Sequence, residues 1–423
     1  MAGLLGITLL ICFVLAVPIA ISLGFTSMVI MMENGVPLTA LAQKMFTSID
    51  SFPLMAIPFF ILAGSLMEHG GISRRLIDLV NSFIGSFTGG LAMVMIIASM
   101  FFSAISGSGP ATAAAIGSIM IPAMVARKYD VRFAASTQAA AGELGVIIPP
   151  SIPLVLFGIA GGVSIADLFI AGIVPGLMIG FSLMLVAFVI SKRNGYVGGE
   201  SFTWRYRLVA LRRAILALMM PVIILGGIYG GIFTPTESAI VASAYALIVG
   251  MFIYREIKLK DLFKIFYESA IMTAIILIVI SNAGLFSWIL TMEGVPQALA
   301  GWITGISDSP IVFLLLVNLF LFIVGMFFDG GAAIIILAPI LVPIATSLGI
   351  DPVHFGIIMI VNLAMGMITP PVGVNLFVVS QIAKVPLEKL IGYLAPYVGI
   401  VIIDILLLTY LPQISLWLVH VLR

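Results

Sequence analysis

The sequence predicts an all-α polytopic membrane protein made of two inverted repeats, each holding one re-entrant hairpin and one broken helix. Three observations lead there. The first is composition: of 423 residues, 62% are hydrophobic and 9% charged, with a mean hydropathy of +1.28. Water-soluble domains carry about 25% charged residues, so lipid must solvate much of this chain. Apolar runs of spanning length recur throughout, giving about ten to twelve embedded segments of roughly 20 residues. The second is a repeated phrase: residues 145–153 read GVIIPPSIP and residues 366–374 read GMITPPVGV, 221 positions apart. Adjacent prolines lack N–H donors and clash with the preceding turn, so neither run continues as one helix. The third is that matching loops in the two halves differ in charge.

In the register of the Pro-Pro phrases, Phe101 aligns with Phe322, Gly109 with Gly330, Ala111 with Ala332, Pro122 with Pro343, Asp130 with Asp351 and Pro175 with Pro396. An ungapped match of this length reads as an internal repeat. Lys and Arg favour cytoplasmic loops. Arg127, Lys128 and Arg132 mark one loop whose mate, near 348–353, has none. Arg74 and Arg75 mark another, and its mate near 295–296 has none. Lys384 and Lys389 oppose residues 163–168, where Asp167 is the only charge. Parallel repeats would put both copies on one side; the observed asymmetry predicts inverted topology.

The elements follow in order. Residues 3–32 are apolar and span, with a bend at Pro18. Residues 51–69 span to the cytoplasmic Arg74/Arg75 turn, and 72–88 have the amphipathic pattern of an interfacial helix. Residues 90–125 begin and end near basic positions, which makes them a hairpin with its tip at Ser106-Gly-Ser-Gly-Pro110. Residues 132–163 form a helix broken at Gly145–Pro150, and 167–191 return to the most basic loop, Lys192–Arg213. Residues 214–232 and 235–254 cross out and back toward Arg255, Lys258, Lys260 and Lys264. The second half repeats the plan: span 266–290, hairpin 310–346 with its tip near Asp329–Gly331, broken helix 354–383 and final span 390–412.

Non-helical backbone at membrane depth costs several kcal/mol per unpaired group unless protein or solute satisfies it. A broken helix aims free carbonyls and a helix end at one place. Carbonyl and hydroxyl oxygens suit a hard monovalent cation such as Na⁺, and a helix N-terminus suits a carboxylate. The first tip with its break offers Ser103, Ser106 and the backbone of Gly145, Ile148 and Pro149. The second offers Gly325, Gly366 and Thr369. Asp329 is an ionisable group in a membrane segment, read either as a cation or solute contact or as a hairpin cap. Asn375 starts the second half of its broken helix and is a candidate solute contact. The first tip is also readable as a Gly/Ser packing surface. Glu143, two residues before the break, is both a site candidate and an interhelical hydrogen-bonding group. Asn282, Asn318, Asn362 and Asp404 fit interhelical hydrogen bonds, and Glu237 after Thr234-Pro235 fits a helix cap. Trp204, Trp288, Trp302 and Trp417 fit interfacial anchors. The run Lys192–Arg213 reads as a topology determinant in contact with lipid.

Several classes are excluded. A net charge of +1 gives no nucleic-acid footprint. The single cysteine, Cys12, forms no disulfide framework, and His69, His354 and His420 lack ligand spacing. No P-loop, HExxH or credible Ser/Lys or Asp/Asp pair is present, so neither ATP-driven nor enzymatic chemistry is expected. The apolar N-terminus lacks a basic stretch and a cleavage site, and reads as a first span.

The hairpin SGSGPATAAAIGSIMIP, the break GELGVIIPPSIP, and the stretches GGIFTPTESA and GMITPPVGVN resemble the large membrane subunit of tripartite ATP-independent periplasmic (TRAP) transporters. The resemblance covers essentially the whole chain. It implies an ion-transporter-superfamily fold, with a scaffold and an elevator-type transport domain carrying both hairpins. The matching domains are 1–89 and 192–309 for scaffold and arms, and 90–191 and 310–423 for the transport halves. It implies Na⁺-driven import of an organic acid, of the sialic acid or C4-dicarboxylate class, across the bacterial inner membrane. A periplasmic binding protein delivers the solute, and a separate four-helix membrane subunit is expected. By position, the family's Na⁺ ligands fall on Ser103, Ser106, Gly145, Ile148 and Pro149, and on Gly325, Gly366 and Thr369. Solute contacts are assigned to Ser108, Asp329 and Asn375. A stand-alone Na⁺/carboxylate symporter of the same superfamily, and a channel, are the competing readings.

Overall fold

The computed structural model describes residues 2–199, 201–295, 297, 298, 301 and 309–423, and their regular structure is helical. Trp302 and part of the loop at 295–296 lie outside the described residues. The expected first span is two helices, α1 (Ala2–Val14) and α2 (Ile19–Glu33). Pro18 precedes α2, and Ala16 takes a left-handed conformation, so the chain breaks where a bend was expected. Next comes α3 (Thr39–Ile49), which has no buried residue and was not anticipated. Its polar Gln43 and Lys44 hid it from a search for spans.

A 3₁₀ turn at Phe52–Met55 leads into α4 (Ala56–His69). The following α5 (Ile72–Ile84) buries Ile72, Leu76, Leu79 and Val80 and turns Arg74 and Asp78 outward, as its periodicity predicted. The first hairpin is α6 (Gly90–Ser106) and α7 (Gly109–Ala126), joined through Gly107 at φ +60°. Then α8 (Val131–Ile147), capped by Asp130, and α9 (Ile152–Gly161) form a span bent by 42°. Gly145 therefore lies inside α8, and the break falls at 148–151, later than expected.

After α10 (Ile165–Arg193), α11 (Trp204–Tyr229) starts ten residues earlier than expected, so Arg205–Arg213 are helical and not part of a loop. Thr234 and Glu237 close a capping box on α12 (Pro235–Ile248), which continues through a π turn at Val249–Ile253. The 34-residue α13 (Leu259–Met292) exceeds its expected length. The second hairpin is α14 (Pro310–Phe327) and α15 (Gly330–Ser347), and its broken helix is α16 (Pro352–Gly366) and α17 (Val374–Ala383). The chain then forms α18 (Ile391–Tyr410) and an unanticipated short α19 (Gln413–Leu422). Among the described residues nine helices are long and apolar enough to cross a membrane, or ten with the bent pair.

The register of the sequence repeat recurs in these boundaries. Helices α7 and α15 begin and end 221 positions apart, α8 and α16 both begin one residue after a capping Asp, and both Pro-Pro bonds are cis. One group of helices packs α13 against α2, α3 and α4, α12 against α4, and α11 against α5. The other collects the hairpins and broken helices, with α10 against α6, α8 and α18. Within it the halves exchange parts: α9 packs on α15, and α17 packs on α7 and α8.

Some polar groups inside this second group pair between helices, while both carboxylate oxygens of Glu143 are buried without a partner. Asn362 donates to Asn318 at 2.9 Å, Asn318 to Thr409 at 2.9 Å, and Ser182 to Asp404 at 2.9 Å. Asn282 instead donates to Ile278 O of its own helix. Helical stripes such as Ile271, Ile275 and Ile278, or Leu315, Leu319 and Ile323, stay exposed and face the lipid.

Candidate functional site

The first hairpin tip and the first break meet directly. Ile152 N donates to Gly107 O at 3.2 Å, tying the start of α9 to the tip. Gly145 lies against the tip so closely that a Cβ there would sit 2.4 Å from Ser108 O and 2.8 Å from Thr112 Oγ1. Ser106 Oγ and Thr112 Oγ1 are 3.0 Å apart, and Thr112 Oγ1 donates to Ser108 O at 2.9 Å. Ser108 caps α7, with Ala111 N donating to its hydroxyl at 3.5 Å. Ile148 and Pro149 pack on Gly176 and Gly172 of α10.

Two features of this cluster fit a cation. Ser103 Oγ is buried and has no hydrogen-bond partner. Pro149, four residues after Gly145, has no N–H to donate to the Gly145 carbonyl. Ser151, which sequence reasoning missed, caps α9 and donates to Val146 O at 2.6 Å, filling the next carbonyl the prolines leave unpaired. Buried polar atoms are normally satisfied, and a buried hydroxyl without a partner is the kind of oxygen a monovalent cation takes.

The second copy is built alike but is more fully self-satisfied. Val372 N donates to Met326 O at 3.3 Å, the counterpart of the Ile152–Gly107 tie. Gly325 and Gly366 touch backbone to backbone. Gly366 O accepts from Thr369 N at 3.0 Å, and Thr369 Oγ1 donates to Met365 O at 2.8 Å while keeping its lone pairs. Asp329 occupies the hairpin-cap position: it is exposed and accepts from Gly331 N at 2.9 Å and Ala332 N at 3.3 Å.

Asn375 was expected beside the second tip, and its side chain lies elsewhere. Its backbone N–H bonds Met367 O, but Nδ2 reaches Ala139 O at 3.4 Å, and Oδ1 is buried without a partner next to Gly109. The exchange of α17 onto α7 and α8 carries it to the first cluster. Sequence spacing within one repeat could not reveal that placement.

A cavity of about 250 Å³ opens between the first tip and helices α4 and α13, lined by Ser65 and Glu68 of α4, Ser106 and Ser108 of the tip, and Glu268 and Ser269 of α13. A second cavity of about 340 Å³ shares Glu68 and continues past His69, Arg74 and Glu256. Ser65, Glu68, Glu256, Glu268 and Ser269 were not singled out from sequence, and His69 and Arg74 were considered there only for ligand spacing and topology. Glu68 and Glu268 lie near the ends of apolar runs, where charges are routine.

Over residues 6–414 the chain matches the family described as "Tripartite ATP-independent periplasmic transporter, DctM component". The chain belongs to this family. As a DctM component it is a transporter subunit and not an enzyme, and a multi-pass protein of the bacterial inner membrane. It is 48% identical over 406 residues to the isethionate TRAP transporter permease protein DctMQ of Oleidesulfovibrio alaskensis, covering 96% of this chain and 64% of that relative. The chain thus spans about two thirds of that protein's length. It is 44% identical to the C4-dicarboxylate TRAP transporter large permease protein DctM of Pseudomonas aeruginosa, covering 93% of each. It is 40% identical to the sialic acid TRAP transporter large permease protein SiaM of Vibrio cholerae, covering 94% of each. In structure it is similar to the YdaH transporter of Alcanivorax borkumensis, with a TM-score of 0.65, 16% identity and 88% of each chain covered. That likeness places this DctM component in the same polytopic transporter fold.

Proposed function

We propose that this protein is the large transmembrane subunit of a Na⁺-coupled importer of an organic acid, delivered by a periplasmic binding protein and working with a small four-helix membrane subunit. The observation that carries the reading is the first cluster, where the buried, unpartnered hydroxyl of Ser103 stands just before a hairpin tip that packs on Gly145, and where Ser106 and Ser108 of that tip line a cavity. Ser103, Ser106, Gly145, Ile148 and Pro149 hold one Na⁺, and Gly325, Gly366 and Thr369 hold the other. Ser108, Asp329 and Asn375 are the proposed solute contacts.

The energetics favour cation coupling. An anion entering an inside-negative cell works against about 2.3 kcal/mol per charge per 100 mV. Two Na⁺ moving with one monovalent anion reverse the electrical sign and add the sodium gradient. The hairpins and broken helices form an inverted-repeat transport domain that slides against α2–α5 and α11–α13, carrying solute and cations together. A stand-alone symporter would need the same cluster, and the family match favours the tripartite form.

Reconstitution tests this. Liposomes holding the chain, its small subunit and its binding protein should show saturable uptake that disappears when K⁺ replaces Na⁺. Uptake by the chain alone would favour the stand-alone reading, and Na⁺-independent uptake would overturn the coupling.

A further inference from the structure

The cavity between the first tip and the scaffold has an uneven charge distribution. On one wall stand Ser106, Ser108 and the start of α7, a helix N-terminus that favours an anion. On the other stand Glu68 and Glu268, carried by the packed helices α4 and α13, with His69 beside Glu68 in the adjoining cavity. No Lys, Arg or His lines this cavity. Lys264 lies 3.7 Å from Glu268 but outside the lining, with its side chain 69% exposed. Ser65 and Ser269 add hydroxyls between the walls, and Ser269 Oγ is buried without a partner.

Resting on the proposed solute contact of Ser108, which lines this cavity, we propose that Glu68 and Glu268 restrict the solute to a single anionic group with hydroxyl donors at its other end. The anionic end takes the α7 N-terminus. The opposite end meets two carboxylates, so a solute hydroxyl donates to a carboxylate there, whereas a second carboxylate would face two like charges. Rejection by an introduced like charge is a common route to specificity. The cavity volume of about 250 Å³ is at the lower limit of ligand pockets, which suits a small acid. Glu68 and Glu268 act by selecting, and they stay with the scaffold while the tip moves.

The test uses cysteine protection on the full-length chain in nanodiscs with saturating Na⁺. Cys12 is the only native cysteine and is buried. Ser65→Cys in a Cys12→Ser background places a label site on the cavity wall. Gluconate, a polyhydroxy monocarboxylate, should slow maleimide labelling about tenfold more than succinate, a dicarboxylate, at equal concentration. In the Glu68→Gln/Glu268→Gln variant, which removes exposed charge and keeps side-chain shape, the ratio should fall to about one. Equal protection by succinate in the parent, or an unchanged ratio in the double variant, overturns the inference alone. Protection by neither probe overturns the solute-site reading and the inference with it.

Discussion

Gly366 rests on the backbone of Gly325, so that a Cβ on Gly366 would sit 2.2 Å from Gly325 C and 2.5 Å from Gly325 O. No flexible side chain is available to yield. Gly366→Ala should therefore lower the thermal unfolding midpoint of the purified chain, by an amount equivalent to about 1–3 kcal/mol of overpacking. Gly392→Ala is the matched control, because its Cβ meets nothing within 4 Å. Equal midpoints for the two variants would mean that the α14–α16 contact is looser than described.

Ser103→Ala deletes a buried hydroxyl that has no partner. Stability should be unchanged or slightly raised, since an unsatisfied buried group is removed. The Na⁺ concentration for half-maximal uptake should rise. Unaltered Na⁺ dependence would remove Ser103 from the proposed ligand set.

Ser106→Ala differs, because its hydroxyl is engaged with Thr112 at 3.0 Å. It should cost about 1 kcal/mol of stability and also raise the Na⁺ requirement. Thr369→Ala should shift Na⁺ dependence in the same direction. Comparing Na⁺ titrations of uptake with melting curves separates the two effects in each variant.

Asp329→Asn separates cap from charge. Asn caps helices about as well as Asp, so the bonds to Gly331 and Ala332 survive and the melting curve should not move. Uptake should fall if the carboxylate contacts solute or cation. Parent-like uptake would leave Asp329 with the capping role alone.

Asp130 caps α8 and takes Arg132 in a salt bridge at 2.5 Å. Its hydrogen bond from Arg132 lowers its pKa below the usual carboxylate range. A carboxylate with a lowered folded pKa adds stability above its unfolded pKa, and that stability is lost as pH falls through the folded value. Asp130→Ala should thus lose about 1 kcal/mol at neutral pH. The gap to the parent should close only in acid below the ordinary Asp range. Melting curves across pH check this, and a gap that closes near neutrality would contradict the assigned cause.

The helical, multi-span character and the Pro-Pro breaks were legible in the sequence because each has a local cause. Pro149 and Pro370 break helices wherever they stand, and Asp130 and Asp351 cap the helices that follow. The approach of the first break to the first tip, where Gly145 lies against Ser108 and Thr112, fits the pairing of tip and break read from sequence. Helix α3 was not, because an amphipathic helix without buried residues carries no span signal. Nor was the place of Asn375, which depends on one half's helix docking on the other. Glu68 and Glu268 are 200 positions apart, and only the packing of α4 on α13 makes them face one cavity.

The exchange of α9 and α17 between the halves has a consequence for biogenesis. As the nascent chain leaves the ribosome, α9 has its own hairpin but lacks the wall it will finally rest on, because α15 is still unmade. The N-terminal half must wait in the bilayer with that surface uncovered until about 170 more residues have been synthesised. Truncation before residue 330 should leave a product for membrane quality-control proteases and not a half-transporter.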